Sequence, residues 1–107
     1  MITPERLARF LQACEETQSE LEEHFVDIST AAYAEWALTE LGNRVFDLCD
    51  HREWAESYLI EDVINAFAWE MEQNFRRSET ETQRVIFSTA VYAARRLENY
   101  YELQDRR

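Results

Sequence analysis

Residues 78–103 have the sequence SETETQRVIFSTAVYAARRLENYYEL, and this stretch decides the fold class. Ser78 and Glu81 have the spacing of a capping box, in which each side chain bonds the other residue's backbone N–H at the start of a helix. Apolar residues then recur every three or four positions, the period of a helix with one buried face. They are Ile86, Ala90, Ala93, Leu97 and Tyr100. We therefore predict a helix over residues 79–103.

The same period predicts three further helices, over residues 4–25, 29–49 and 53–76. Thr3 is the expected N-cap of the first, with Pro4 at its first helical position. The pattern of the third predicted helix, over residues 53–76, allows a short break near Ser57. Short connections between four such helices favour a compact antiparallel four-helix bundle.

The composition supports an all-α protein with one domain over residues 1–107. The chain has one glycine and one proline, too few for the many turns of an all-β protein. Gly42 lies inside the second predicted helix, but the apolar spacing continues past it, so we expect the helix to continue as well. With 46% hydrophobic residues, the chain has ample material for a core.

The N-terminus and the cysteines indicate a cytoplasmic protein. Glu5, Arg6 and Arg9 stand where a signal peptide would carry its apolar core, and no window approaches the roughly 20 apolar residues of a membrane span. Cys14 and Cys49 occupy apolar positions without a CxxC pair, so we expect buried, reduced thiols, with a disulfide as the minor alternative.

The negative charge is concentrated in the first half of the chain. The formal net charge is −11, and residues 1–50 hold 11 acidic residues against 3 arginines, a net charge of −8. From Phe10 to Asn43 there is no lysine or arginine. On a helical wheel, four acids of this region fall within about 60° of one another and two more flank them. The four are Glu16, Glu20, Glu23 and Asp27, and the flanking pair is Glu15 and Glu22.

This acidic ridge permits two interpretations. It is either a solvated face that keeps the protein soluble, or a surface that binds a protein with a basic, nucleic-acid-binding site. Like charges one helical turn apart cost a few tenths of a kcal/mol per pair, which points to a function. The adjacent Tyr100 and Tyr101 point about 100° apart, so one of them should be exposed for partner contact. The predicted partner-binding residues are Glu15, Glu16, Glu20, Glu22, Glu23, Asp27 and Tyr101.

Direct nucleic-acid binding is disfavoured because the chain lacks a stripe of basic residues. The arginines of the second half should form local ion pairs, with Arg95 and Arg96 expected to pair with Glu98 or with acids of a neighbouring helix.

Metal binding and catalysis are also disfavoured. Helix bundles that bind two metals use Glu-x-x-His, but the residues three before His24 and His51 are leucines. The acids Glu20 and Asp47 lie four before them, so a carboxylate–imidazole pair stays formally possible at each histidine. No glycine-rich phosphate loop or nucleophile elbow is present. We expect no metal, no cofactor and no enzymatic activity.

In size and charge the chain resembles a functional class, the small acidic inhibitors that phages and other mobile elements encode against nucleic-acid enzymes. The class includes anti-CRISPR proteins, restriction inhibitors and nuclease immunity proteins. The resemblance implies a non-enzymatic inhibitor whose acidic ridge covers a basic site. The alternative is a structural or assembly protein, such as a homodimer through the second or fourth helix, whose charge serves solubility alone.

Overall fold

The computed structural model describes residues 1–105, and their regular structure is α-helix without any strand. Five helices follow one another along the chain. They are α1 (Pro4–His24), α2 (Ile28–Cys49), α3 (Arg52–Ser57), α4 (Ile60–Arg76) and α5 (Glu81–Asp105). The all-helical prediction is confirmed.

Local sequence signals set the starts of α1 and α2. The Thr3 hydroxyl accepts a hydrogen bond from the Arg6 backbone N–H at 3.2 Å, and Pro4 follows at the first helical position, as predicted. Asp27 caps α2, because its carboxylate accepts from the Thr30 N–H at 3.0 Å. Helix α2 continues through Gly42, so the tolerated glycine is also confirmed.

The predicted helix over residues 53–76 is interrupted directly after Ser57, where the sequence allowed a short break, and this gives five helices in residues 1–105 rather than four. Tyr58 and Leu59 have extended backbones between α3 and α4. After this break Ile60 is fully buried and begins the core face of α4, whereas α3 contributes no buried residue. The break therefore lets α4 turn into the core independently of α3.

The capping box of α5 lies two residues later than predicted. The Gln83 backbone N–H donates to the Thr80 hydroxyl, and the Gln83 side-chain oxygen accepts from the Thr80 N–H, each at 3.1 Å. Ser78 instead donates to the Asn74 carbonyl oxygen at the end of α4. The helix consequently begins at Glu81.

Helix α5 occupies the middle of the molecule, with extensive contacts to α1, α2 and α4. By contrast, α1 has limited contact with α2 and touches α4 little. The core is formed along α5 by residues from all four long helices, including Phe10, Leu41, Val45, Ile64, Phe67 and Leu97, all fully buried. Because α2 and α5 pack across the middle, the outer side between α1 and α2 stays open.

None of the helices in residues 1–105 is both long and apolar enough to cross a membrane.

Candidate protein-binding surfaces

The side of α1 that faces α5 uses its carboxylates inside the molecule. The Arg96 guanidinium donates two hydrogen bonds to the Glu20 carboxylate, at 2.6 and 2.8 Å. These bonds raise the pKa of Arg96 above its ordinary value. One turn earlier, the Glu16 carboxylate accepts from the Gln104 side chain at 2.9 Å. Two predicted partner-binding residues thus connect α1 to α5.

Asp27, a third member of the predicted ridge, caps a helix. Hydrogen bonds from the backbone N–H and the hydroxyl of Thr30 lower the pKa of the Asp27 carboxyl. Its negative charge also lies at the N-terminus of α2, where the helix dipole favours it. The residue is exposed but has a structural function of its own.

The other three ridge carboxylates, Glu15, Glu22 and Glu23, are exposed. Glu22 accepts a hydrogen bond from the neighbouring Gln18 side chain at 3.3 Å. Glu22 also lines a hollow between α1 and α2, whereas Glu23 lines a shallow hollow beside Tyr100 of α5. The ridge is therefore divided between two sides of α1.

The prediction of partner contact at Tyr101 is wrong, because the side chain is only 1% exposed. Its ring lies under the Arg9 guanidinium, 4.5 Å from that group's central carbon. Burial, reinforced by the negative charge of Glu61, raises the pKa of the Tyr101 hydroxyl to about 12. Tyr100 is the half-buried member of the pair, next to Glu16, Glu20 and Glu23.

An open groove follows the other side of α1, where it meets α2. Two adjoining hollows of about 380 and 250 Å³ form it and share Gln18 and Leu38. Their remaining walls are Phe10, Leu11, Cys14, Leu21, Glu22, Phe25 and Val26 on one side, with Ile28, Ala31, Ala32, Ala34, Glu35, Thr39, Gly42, Asn43 and Phe46 on the other. We call this surface the α1/α2 groove. The sequence signal for it was a second helix that is apolar nearly all round.

The α1/α2 groove exposes apolar side chains that a closed core would cover. Val26 is 92% and Ile28 87% exposed at the connection between the helices, while Leu11 and Phe46 are each 42% exposed at the other end. Adjacent exposed apolar groups of this kind mark interaction surfaces more often than isolated ones do.

The arginines form the local ion pairs that the sequence predicted. Arg95 pairs with Glu98 at 3.3 Å, and Arg96 pairs with Glu20 on the neighbouring helix. Arg44 donates to Glu70 of α4 at 2.7 Å, which lowers the pKa of the Glu70 carboxyl. Further pairs are Arg52–Glu56, Arg76–Glu72 and Arg84–Glu81. The acidic stretch of α1 and early α2 has no lysine or arginine within residues 10–43, and Arg96, which pairs with its Glu20, comes from α5.

The histidines and cysteines have structural surroundings. The His24 ring stacks on Tyr92, with centroids 5.1 Å apart, while Glu20 binds Arg96. Within residues 1–105, no three His, Cys, Asp or Glu side chains are placed to hold a metal ion together. Both cysteines are free thiols, as predicted, but they are partly rather than fully buried. Burial still raises the pKa of Cys14 to about 12, so its thiol stays protonated and weakly nucleophilic.

No known family model, curated protein or solved structure matches this chain.

Proposed function

We propose that the protein is a non-enzymatic inhibitor that binds a basic, nucleic-acid-binding site of an enzyme through the carboxylates of α1. One observation carries this proposal. Glu15, Glu22 and Glu23 are exposed on a helix within residues 10–43, a stretch without lysine or arginine. A basic protein surface that approaches these three carboxylates therefore meets no basic residue of the same stretch of sequence.

The physical basis is a field similar to that of a nucleic-acid strand. Glu15 and Glu22 are two helical turns apart, about 10.5 Å along the axis of α1, and Glu23 follows directly, so exposed carboxylates repeat along this helix as phosphates repeat along a strand. A net charge of −11 steers a basic partner toward the protein. The bonds of Glu16 and Glu20 to α5 hold α1 in place, so the exposed carboxylates are presented on a fixed helix.

The first test is capture of a partner by the immobilised protein from an extract of its native host. The beads are washed at about 0.05 M or about 1 M salt, and retained proteins are identified by mass spectrometry. We expect a nucleic-acid enzyme that is retained at low salt, lost at high salt, displaced by its own nucleic acid and inhibited in solution by the protein. Retention of salt-resistant partners alone would contradict the proposal.

Charge reversal at the exposed carboxylates locates the contact. The variant Glu15→Arg/Glu22→Arg/Glu23→Arg should lose the captured enzyme. Its matched control carries the same change in net charge at exposed positions elsewhere, in Glu53→Arg/Glu79→Arg/Glu102→Arg. Equal losses in both variants would show that net charge acts alone and would remove α1 from the proposal.

A second candidate function is assembly through an apolar interface of α2. The exposed apolar side chains Ile28, Trp36 and Phe46 on this helix favour it. Such a homodimer would persist at about 1 M salt, where the Debye length is near 3 Å. Sedimentation equilibrium distinguishes the two candidates, because the inhibitor needs no self-association.

A further inference from the structure

The α1/α2 groove has the length and shape to hold one more helix. The groove follows α1 from Leu11 to Phe25, which is about 21 Å at 1.5 Å per residue. Apolar and small residues line it at intervals of three, four or seven positions, the spacings that keep residues on one face of a helix. On α1 they are Leu11, Cys14, Leu21 and Phe25, and on α2 they are Ala31, Leu38, Gly42 and Phe46.

Gly42 keeps the wall of this groove low. Glycine in a helix interior costs up to about 1 kcal/mol relative to alanine. A Cβ atom at Gly42 would have no atom within 4 Å, so no contact inside this chain requires the glycine. Its missing side chain leaves space that a partner's side chains can enter.

The polar groups of the groove are acidic or neutral. Glu22 lines it from α1 and Glu35 from α2, beside the neutral Gln18. The nearest arginine in the sequence, Arg44, bonds Glu70 on the side of α2 that faces α4. The carboxylates of Glu22 and Glu35 both line the hollow next to the α1–α2 connection, while the hollow from Leu11 to Phe46 has apolar and neutral walls. An occupant therefore meets an apolar floor with one carboxylate on each side at one end, which is complementary to an apolar stripe with basic residues on both sides of that end.

We propose that the α1/α2 groove binds an amphipathic helix of the partner protein, with lysine or arginine on both sides of its apolar face where it lies between Glu22 and Glu35. This rests on the proposed function, since the partner there is a basic protein, and it adds the structural element that docks. A second copy of this chain fits less well. Two grooves facing each other would bring Glu22 and Glu35 of both copies together without a basic residue from positions 10–43.

A synthetic peptide tests the groove without knowledge of the partner. The probe is a fluorescein-labelled helix of about 14 residues, or two heptads, which matches the length of the groove, about 21 Å, with leucine at positions a and d and lysine at e and g. One control peptide has the same composition with scattered leucines, and another replaces every lysine by glutamate. Binding is measured by fluorescence anisotropy at about 0.15 M salt. We expect both controls to bind at least about tenfold more weakly than the probe.

Filling the groove should prevent binding without a change in charge. Gly42→Phe should weaken binding of the probe at least about tenfold, and Thr39→Phe at a second exposed groove position should act in the same direction. The matched control is Asn99→Phe, at an exposed position of α5, which should leave binding unchanged. Circular dichroism establishes that each variant is folded.

Removing the groove carboxylates tests the charge requirement. Glu22→Gln/Glu35→Gln should weaken binding of the probe about fivefold or more, and Glu79→Gln/Glu102→Gln, with the same change in net charge, should have a much smaller effect.

Three results would overturn the inference. They are equal effects of Gly42→Phe and Asn99→Phe, equal binding of the peptide with scattered leucines, and a homodimer that Gly42→Phe dissociates. The last result would assign the groove to a second copy.

The failures of the two proposals are distinguishable. Enzyme capture that survives Gly42→Phe but not the triple charge reversal would leave the inhibitor proposal standing and remove the groove. Specific peptide binding without any salt-sensitive enzyme capture would keep the groove as a helix-binding site and remove the inhibitor proposal.

Discussion

The two sides of α1 differ in what they contact. Toward α5, the helix is held by the Glu20–Arg96 pair, the Glu16–Gln104 bond and the Arg9–Tyr101 contact. Toward α2, the same helix borders an open groove with exposed apolar side chains such as Leu11. Some carboxylates of the predicted acidic ridge bond α5 and hold α1 in place. Some apolar residues on the side of α1 that faces α2 are exposed to solvent. Residue type alone therefore does not tell which surface is available to a partner.

The largest expected effect is on the free energy of unfolding, when one large side chain is truncated on each side of α1: Tyr101 of α5 on one side and Leu11 of the groove on the other. Tyr101→Ala should lower the free energy of unfolding by about 3 kcal/mol, because it removes a buried aromatic ring. Leu11→Ala should cost about 1 kcal/mol or less, because Leu11 is 42% exposed. Urea unfolding measures both values. Equal costs would mean that the groove is closed in solution.

The Glu20–Arg96 pair is the next test of the comparison. Glu20→Gln should lower the free energy of unfolding by about 1 kcal/mol, since the two bonds are short but both side chains are about one-third exposed. Glu22→Gln, on the groove side, should change it by about 0.3 kcal/mol or less. A double-mutant cycle with Arg96→Gln gives the coupling energy. A coupling near zero would make Glu20 as available to a partner as Glu22.

Gly42→Ala should stabilise the protein. The added methyl group meets no atom within 4 Å, and alanine is favoured over glycine in a helix by about 0.5 to 1 kcal/mol. Thermal unfolding monitored by circular dichroism should show a raised Tm. A lowered Tm would show that α1 approaches α2 more closely than the structure has it.

The smallest expected effect concerns the cap at the end of the groove. Hydrogen bonds from Thr30 lower the folded-state pKa of Asp27, so its contribution to stability is present above the ordinary value near 3.8 and is lost as the pH falls through the lower folded value. Asp27→Asn keeps a capping side chain but removes the titration. Between pH 5 and about 2.5 the variant should lose less stability than the natural protein. Parallel profiles of stability against pH for the variant and the natural protein would contradict a contribution of the Asp27 carboxylate to stability.

The sequence predicted those parts of the fold that depend on neighbouring residues. The Thr3 cap and the continuation of α2 through Gly42 both follow from local spacing. The predicted start of α5 is two residues too early because Ser78-x-x-Glu81 and Thr80-x-x-Gln83 both satisfy the capping-box pattern. In the structure the Ser78 hydroxyl bonds the Asn74 carbonyl oxygen at the end of α4, and Thr80 and Gln83 form the box. The break at Tyr58 and Leu59 has no glycine or proline to mark it.

For the acidic ridge of α1, the sequence predicted which carboxylates share a face of the helix but not which of them bond other helices. A helical wheel shows that Glu20 shares a face with Glu16 and Glu23, but its partner Arg96 is 76 residues away in sequence. Similarly, adjacent Tyr100 and Tyr101 must point in different directions, yet which of them is buried depends on where α1 and α4 lie around α5. Three-dimensional proximity, which spacing along one helix cannot show, divides the ridge into structural and exposed carboxylates.

The position of α5 also has a consequence for biosynthesis. This helix supplies Ala90, Ala93, Ala94, Leu97 and Tyr101 to the core, and the ribosome makes it after α1, α2 and α4. Until α5 emerges, the earlier helices lack the helix that each of α1, α2 and α4 contacts most, so the nascent chain exposes part of their apolar faces to chaperones and to other nascent chains. The core of residues 1–105 is therefore completed only after α5 has been made, and a chain that stops before Glu81 leaves the core faces of α1, α2 and α4 partly uncovered.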